Sequence, residues 1–131
     1  MRPLLALGPF VFGLSTLAFD ELQRRRDWRH VRSPRIGARD ATQFTGPGED
    51  TLSLKGTAYA ELGDGRASID QLVAMAGTGE PFELVDGLGR VHGSFVITSL
   101  DDGAKAFFPD GTARAIDFRL ELLGVDAARR T

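Results

Sequence analysis

The chain has 131 residues, 42% of them hydrophobic and 26% charged, with a net charge of −2 and no cysteine. That length predicts a single domain, residues 1–131, with room for one core, and the composition is that of a globular rather than a disordered protein. The missing cysteine excludes disulfide scaffolds and Cys-based zinc sites, and the acidic balance argues against a protein that works by coating polyphosphate.

The first segment, MRPLLALGPFVFGLSTLAF, imitates a secretory signal, with Arg2, an apolar run and a cleavage-like Thr16-Leu17-Ala18. Gly8, Pro9 and Gly13 interrupt the run, and it is too short to span a bilayer as a helix. It reads as folded protein, with Pro9 removing one ladder donor from the first strand.

Next comes RRRDWRHVRSPRIGAR, residues 24–39. Seven arginines against the single Asp27 give this segment +6, so the −2 total leaves −8 for the rest of the chain. The chain is a dipole: a basic segment attached to an acidic body. If Gln23 to Val31 is extended, Arg24, Arg26, Trp28 and His30 line one face, with Arg25, Asp27, Arg29 and Val31 on the other. Both faces are polar, which leaves the segment no core of its own subunit to bury against. Arginine and tryptophan are enriched at interface hot spots. The segment therefore reads first as a subunit interface, made by Arg24, Arg26, Trp28, Arg29, His30, Arg32, Arg35 and Arg39 together with Phe44. Nucleic-acid binding is the second reading. The stretch Ser33 to Asp50, with its prolines and glycines, reads as a long loop, so that residues from about 20 to 50 form an extended basic arm or loop.

Beyond it the apolar residues alternate. Leu52, Leu54 and Ala58 point opposite to Ser53, Lys55, Thr57 and Tyr59; Val91, Phe95 and Ile97 share a face; Ile116, Phe118, Leu120 and Leu122 oppose Asp117, Arg119 and Glu121. These predict half-buried antiparallel strands. The pairs Asp64-Gly65, Asp86-Gly87, Asp102-Gly103 and Asp110-Gly111 mark candidate turns or strand boundaries. One helix is predicted in SIDQLVAMAGTG, capped by Ser68 with Gln71, with Ile69, Leu72, Val73 and Ala76 inward and Gly77 or Gly79 as its end. The fold class is mainly β (α+β): a small antiparallel sandwich or half-barrel with one packed helix and an extended arginine-rich segment.

Little chemistry is written here. His30 and His92 lack H-x-x-x-H spacing, and the adjacent carboxylates Glu49-Asp50 and Asp101-Asp102 lie beside glycines, where they are expected to cap turns. DGLGRVHG misses the dinucleotide fingerprint by one position, and FTGPGED lacks the lysine of a phosphate loop, so both read as turns. No catalytic, cofactor-binding or metal-binding residue is assigned. A cell-wall-cleaving enzyme is disfavoured by the lack of a paired acid or nucleophile.

Several stretches, in this order, carry a resemblance: ALGPFVFGL at 6–14, WRH at 28–30, GAR at 37–39, QFTGPGED at 43–50, and the pattern from Leu54 to Leu62. SIDQLVAMAGTG at 68–79, LVDGLGRVHG at 84–93 and FFPDGTARAIDFRLELLGVD at 107–126 continue it. Along almost its full length the chain resembles the tail protein U family of P2-type contractile-tailed phages. The resemblance implies a structural tail component of tail-tube type, without catalysis or cofactor. It implies a ring, expected to be a hexamer, near the baseplate end of the tube and linking hub to tube; the tail-terminator position at the head-proximal end is the alternative. Implied partners are further copies of the chain, the tail tube protein, hub and baseplate proteins and the tape-measure protein. DNA is implied only as cargo passing through the lumen, and no membrane is implied. The expected location is the virion tail, assembled in the host bacterial cytoplasm.

Overall fold

A computed structural model of the chain describes residues 5–13, 16–61 and 63–126. In chain order the elements are β1 (Leu5–Leu7), β2 (Phe10–Phe12), β3 (Phe19–Ser33), β4 (Ala41–Tyr59), α1 (Gly65–Thr78), β5 (Phe82–Asp86), β6 (Val91–Phe107) and β7 (Ala113–Val125). Among the described residues all strands join one sheet in the order β2-β1-β5-β6-β7-β4-β3, and every pairing is antiparallel.

The sheet is strongly curled. Three ladder steps separate β3 from β6, about 14 Å on a flat sheet. Yet Arg24 of β3 donates to the His92 carbonyl of β6 at 3.4 Å, and its guanidinium lies 5.5 Å over the Phe95 ring. Phe12 of β2 likewise meets Phe19 of β3 edge-on, with centroids 6.2 Å apart. The result is a half-barrel wrapped around one core, with α1 packed against it. The alternation expected of β7 is present: Ile116, Phe118, Leu120 and Leu122 are buried and Asp117 and Arg119 exposed. Leu52, Leu54 and Ala58 are buried as expected. Val91 is not: it is 55% exposed at the start of β6, because Gly93, with φ of 119°, and the register shift opposite Leu84/Val85 break the alternation before Phe95.

Other expectations are corrected. Pro9 sits in the turn between β1 and β2, so it removes no ladder bond. Asp102-Gly103 lies inside β6, not at a turn. Asp64 caps the helix by accepting from the Ala67 N–H, so α1 begins one turn before Ser68. Ser68 is buried inside and donates its hydroxyl to the Asp64 carbonyl. Gly65 makes the early start possible, since a Cβ there would lie 2.8 Å from that of Ala58. The shift turns Met75 inward with Ile69 and Leu72 and leaves Val73 55% exposed. Gly79, with φ of 70°, ends the helix as a left-handed cap.

Candidate subunit interface

β4 pairs with β7 only from Thr51 to Tyr59; its first ten residues pair with β3 alone. The expected loop from Ser33 to Asp50 is thus largely strand, and only residues 34–40 connect the two. β3 and β4 project past the sheet as a two-stranded ribbon carrying the arginine-rich segment from Arg26 on, with Arg24 and Arg25 at its base inside the sheet.

The glycine–proline stretch belongs to this ribbon. Between the pairs Arg26↔Asp50 and Trp28↔Pro47 β3 advances two residues and β4 three; between Arg29↔Gly46 and His30↔Phe44 β3 advances one and β4 two. Both extra residues bulge from β4, which bends and twists the ribbon. Here β4 has no second neighbour, so the missing N–H of Pro47 needs no partner. Gly48 leaves room for Asp27, whose carboxylate accepts the Glu49 N–H at 2.8 Å; a Cβ at Gly48 would collide with that carboxylate.

The candidate residues separate into two groups. Arg24 is committed within its own subunit: its Nε donates to Asp50 Oδ1 at 2.9 Å and its Nη2 to Asp50 Oδ2 at 2.6 Å, with only 20% of its side chain exposed. The expectation that this segment has no core to lie against is therefore corrected at its base. Asp50, read as half of a turn-capping carboxylate pair, is instead the arm's anchor. The others lie further out. Trp28 is 60% exposed and Phe44 57%, and the Phe44 ring meets His30 edge-on at 5.4 Å. Arg29 donates to the Pro47 carbonyl and Arg35 to the Arg39 carbonyl. Among the described residues Arg26, Arg32 and Arg39 make no ion pair.

The hydrogen bonds from Arg24 hold the Asp50 carboxyl below its ordinary pKa, with the charges of Arg24 and Arg26 adding to them and outweighing partial burial. A group whose folded pKa is depressed stabilises the fold above its unfolded pKa and loses that contribution as pH falls through the folded value. The arm's anchor is therefore complete at neutral pH and fails only in acid below the normal carboxylate range. Asp50→Asn is expected to weaken it at neutral pH by about 1 kcal/mol, the scale of a charge-assisted pair discounted for solvent screening. Amide exchange along Thr42 to Glu49 checks this: it should quicken in the variant at neutral pH and in the parent only in acid. Equal exchange in both would contradict the anchor.

On the opposite side of the curled sheet β6 has a free edge. β5 covers it only from Val91 to Phe95, and beyond that point β6 presents Asp101, Asp102 and Lys105, all exposed. Sequence reasoning placed the aspartates at a turn, so it missed this acidic strand edge. Asp102 does not cap; it pairs with Arg66 of α1 at 3.1 Å. His92 Nε2 lies 3.2 Å from Asp86 Oδ2, and Asp86 also accepts the Leu88 and Arg90 N–H groups in the β5–β6 turn. That is a turn-closing arrangement. No group of three potential metal ligands converges among the described residues, and no described helix is long and apolar enough to cross a membrane.

The class of protein that carries this curled sheet and projecting basic ribbon is given by its family, that of a structural protein of phage tails. Solved structures share the fold. A chain from the virion of a native gene transfer agent particle superposes with a TM-score of 0.57 at 17% identity, covering 96% of this chain and 92% of that one. A chain from the tail of an empty gene transfer agent particle, solved with C6 symmetry, gives 0.55 at 17% identity over 98% and 95%. One from the sheath–tube complex of an extracellular contractile injection system gives 0.50 at 8% identity over 93% and 83%. The phage P2 GpU family model matches residues 8–126, and the chain belongs to that family. A probable tape measure protein of Halomonas phage phiHAP-1 is 36% identical over 124 residues, 93% of this chain but 14% of that protein's length.

Proposed function

We propose that the protein forms a six-membered ring at the baseplate-proximal end of a contractile-type tail tube and joins tube to hub. The observation that carries this reading is a pair of strand edges that no strand of the subunit pairs: the outer, arginine-rich part of β3 on one side and, on the other, the outer half of β6, which presents Asp101 and, paired with Arg66 of α1, Asp102. A long exposed edge is an aggregation hazard unless charged or covered. Two different edges that complement each other make a heterologous contact, which closes into a ring when the rotation permits. The C6 symmetry of one structural neighbour supports the number six. In this reading Arg26, Trp28, Arg29, His30, Arg32, Arg35, Arg39 and Phe44 meet the neighbouring subunit, and Arg24 holds the ribbon in place for them. The chain acts as one domain with residues 20–50 as its arm. The acidic remainder suits a lumen through which DNA slides, with the tube, hub, baseplate and tape-measure proteins as partners in a virion tail built in the host cytoplasm. The tail-terminator position would use the same ring.

Trp28 is the sole tryptophan, so its fluorescence reports on the arm without engineering. At 60% exposure it should emit at long wavelength and be readily quenched in the isolated subunit, then shift to the blue and become protected on assembly. Emission that stays red in assembled particles would remove the arm from the interface.

A further inference from the structure

Outside the sheet the ribbon has no second layer among the described residues. Before Thr51, β4 pairs with β3 alone, and past Arg24 every residue of β3 is exposed except Asp27. Packing therefore does not fix the direction in which the arm points. Its two bulges do. Each bends the pair of strands, and each is closed by a side chain bonded to the opposite backbone. At the first, Asp27 faces both Gly48 and Glu49, and its Oδ1 accepts the Glu49 N–H at 2.8 Å. Its other carboxylate oxygen lies 3.5 Å from Arg25, an exposed pair of little strength. At the second, the extra residue is Thr45, whose hydroxyl donates to the Arg29 carbonyl at 3.1 Å.

In a ring built from one repeated heterologous contact, the turn from each subunit to the next fixes the number of copies. Six copies need about 60° per step, five about 72° and seven about 51°. A change of roughly 10° in the direction of the arm thus separates six-membered rings from other numbers or from open helices. The geometry points to Asp27 and Thr45 as the braces that hold the bend of the arm and, through it, the number of subunits in the ring. This role rests on the ring proposed above. It asks for no contact between either residue and the neighbour. Both are positioning residues, acting through the direction in which they hold Trp28 and the outer arginines.

The test uses the full-length protein with Asp27→Ala, Thr45→Val, the two combined, and Asp27→Asn, which keeps an oxygen acceptor for Glu49 without the charge. All lie outside the core, so the melting temperature should hold. Native mass spectrometry counts the copies per ring. The parent and Asp27→Asn should give six alone. Losing one hydrogen bond shifts a two-state ratio roughly fivefold, so each single variant should spread into several ring sizes and the double variant should mostly leave six. A second measurement reads the arm in the unassembled subunit. Spin labels at Ile36→Cys on the arm, 105% exposed, and Val73→Cys on α1, 55% exposed, are unambiguous in a chain without cysteine. Their distance distribution should be narrow in the parent and in Asp27→Asn, and broadened or displaced in the double variant. An unchanged distribution in the double variant would overturn the braces and leave the ring reading standing. Uniform six-membered rings from the double variant would overturn their control of ring number. A parent that closes no ring at any concentration would bring down the ring reading and the number-setting role with it, while the distance distributions still decide whether the braces hold the arm.

Discussion

Glutamate at Arg29 or Arg32 is expected to abolish assembly while the subunit stays folded. Neither guanidinium supports the core. Arg29 reaches only the Pro47 carbonyl, and Arg32 lies opposite Thr42 on an exposed ribbon, so the subunit's melting temperature should hold, as for most surface changes. In the proposed ring these arginines face the β6 edge of a neighbour with its Asp101 and Asp102, and an introduced carboxylate there turns attraction into repulsion of several kcal/mol. Each 1.4 kcal/mol is tenfold in affinity, so the loss per contact is on the order of a hundredfold and recurs at every junction of a ring. Light scattering with circular dichroism measures assembly and fold together. Rings that form normally in both variants would contradict the interface, and loss of salt-dependent DNA binding with rings intact would assign the arginines to nucleic acid.

Gly56→Ala is expected to be the most destabilising single methyl in the chain. Gly56 lies where β3 begins to cross β4, and an added Cβ would collide with the Ala18 carbonyl, sit 2.8 Å from the Phe19 Cα and lie 3.1 Å from the Phe118 ring. Two of those three neighbours are backbone and cannot turn aside, so β3 must move off β4. Overpacking of this kind destabilises by about 1–3 kcal/mol or more, a melting shift of roughly 4 °C for each kcal/mol in a domain of this size. Gly103→Ala is the control. Nothing lies within 4 Å of a Cβ there, and removing a glycine from a strand should be neutral or mildly stabilising. Equal melting of the two variants would show that the β3–β4 crossing is looser than described.

How far the fold was legible depends on what each segment packs against. In ARAIDFRLELL one face meets the core and the other water, so a period of two is written plainly and β7 follows. The arm could be read as extended but not as a ribbon, because both of its faces are polar and carry no period. Its second strand was hidden by Gly46, Pro47 and Gly48, residues that signal turns but here form bulges on a strand with a free edge. Asp102-Gly103 misled for the related reason that Asp-Gly marks a turn only where the chain reverses, and β6 runs through it. The candidate interface residues were picked out by type, from the density of arginine around Trp28. The roles of Arg24 and Asp50 were not, since a pair 26 residues apart becomes visible only once the ladder is in register. The acidic β6 edge was equally hidden, because it depends on how short β5 is.

Whether the arm joins subunits into a ring is decided by a cryo-electron reconstruction of the assembled tail layer containing this chain. Six copies are expected, with a β3–β4 ribbon crossing every subunit boundary, Trp28 buried there, and the arginines of β3 facing Asp101 and Asp102 of the next copy. A single copy, a three-fold layer, or six copies whose ribbons stand free in solvent would contradict it.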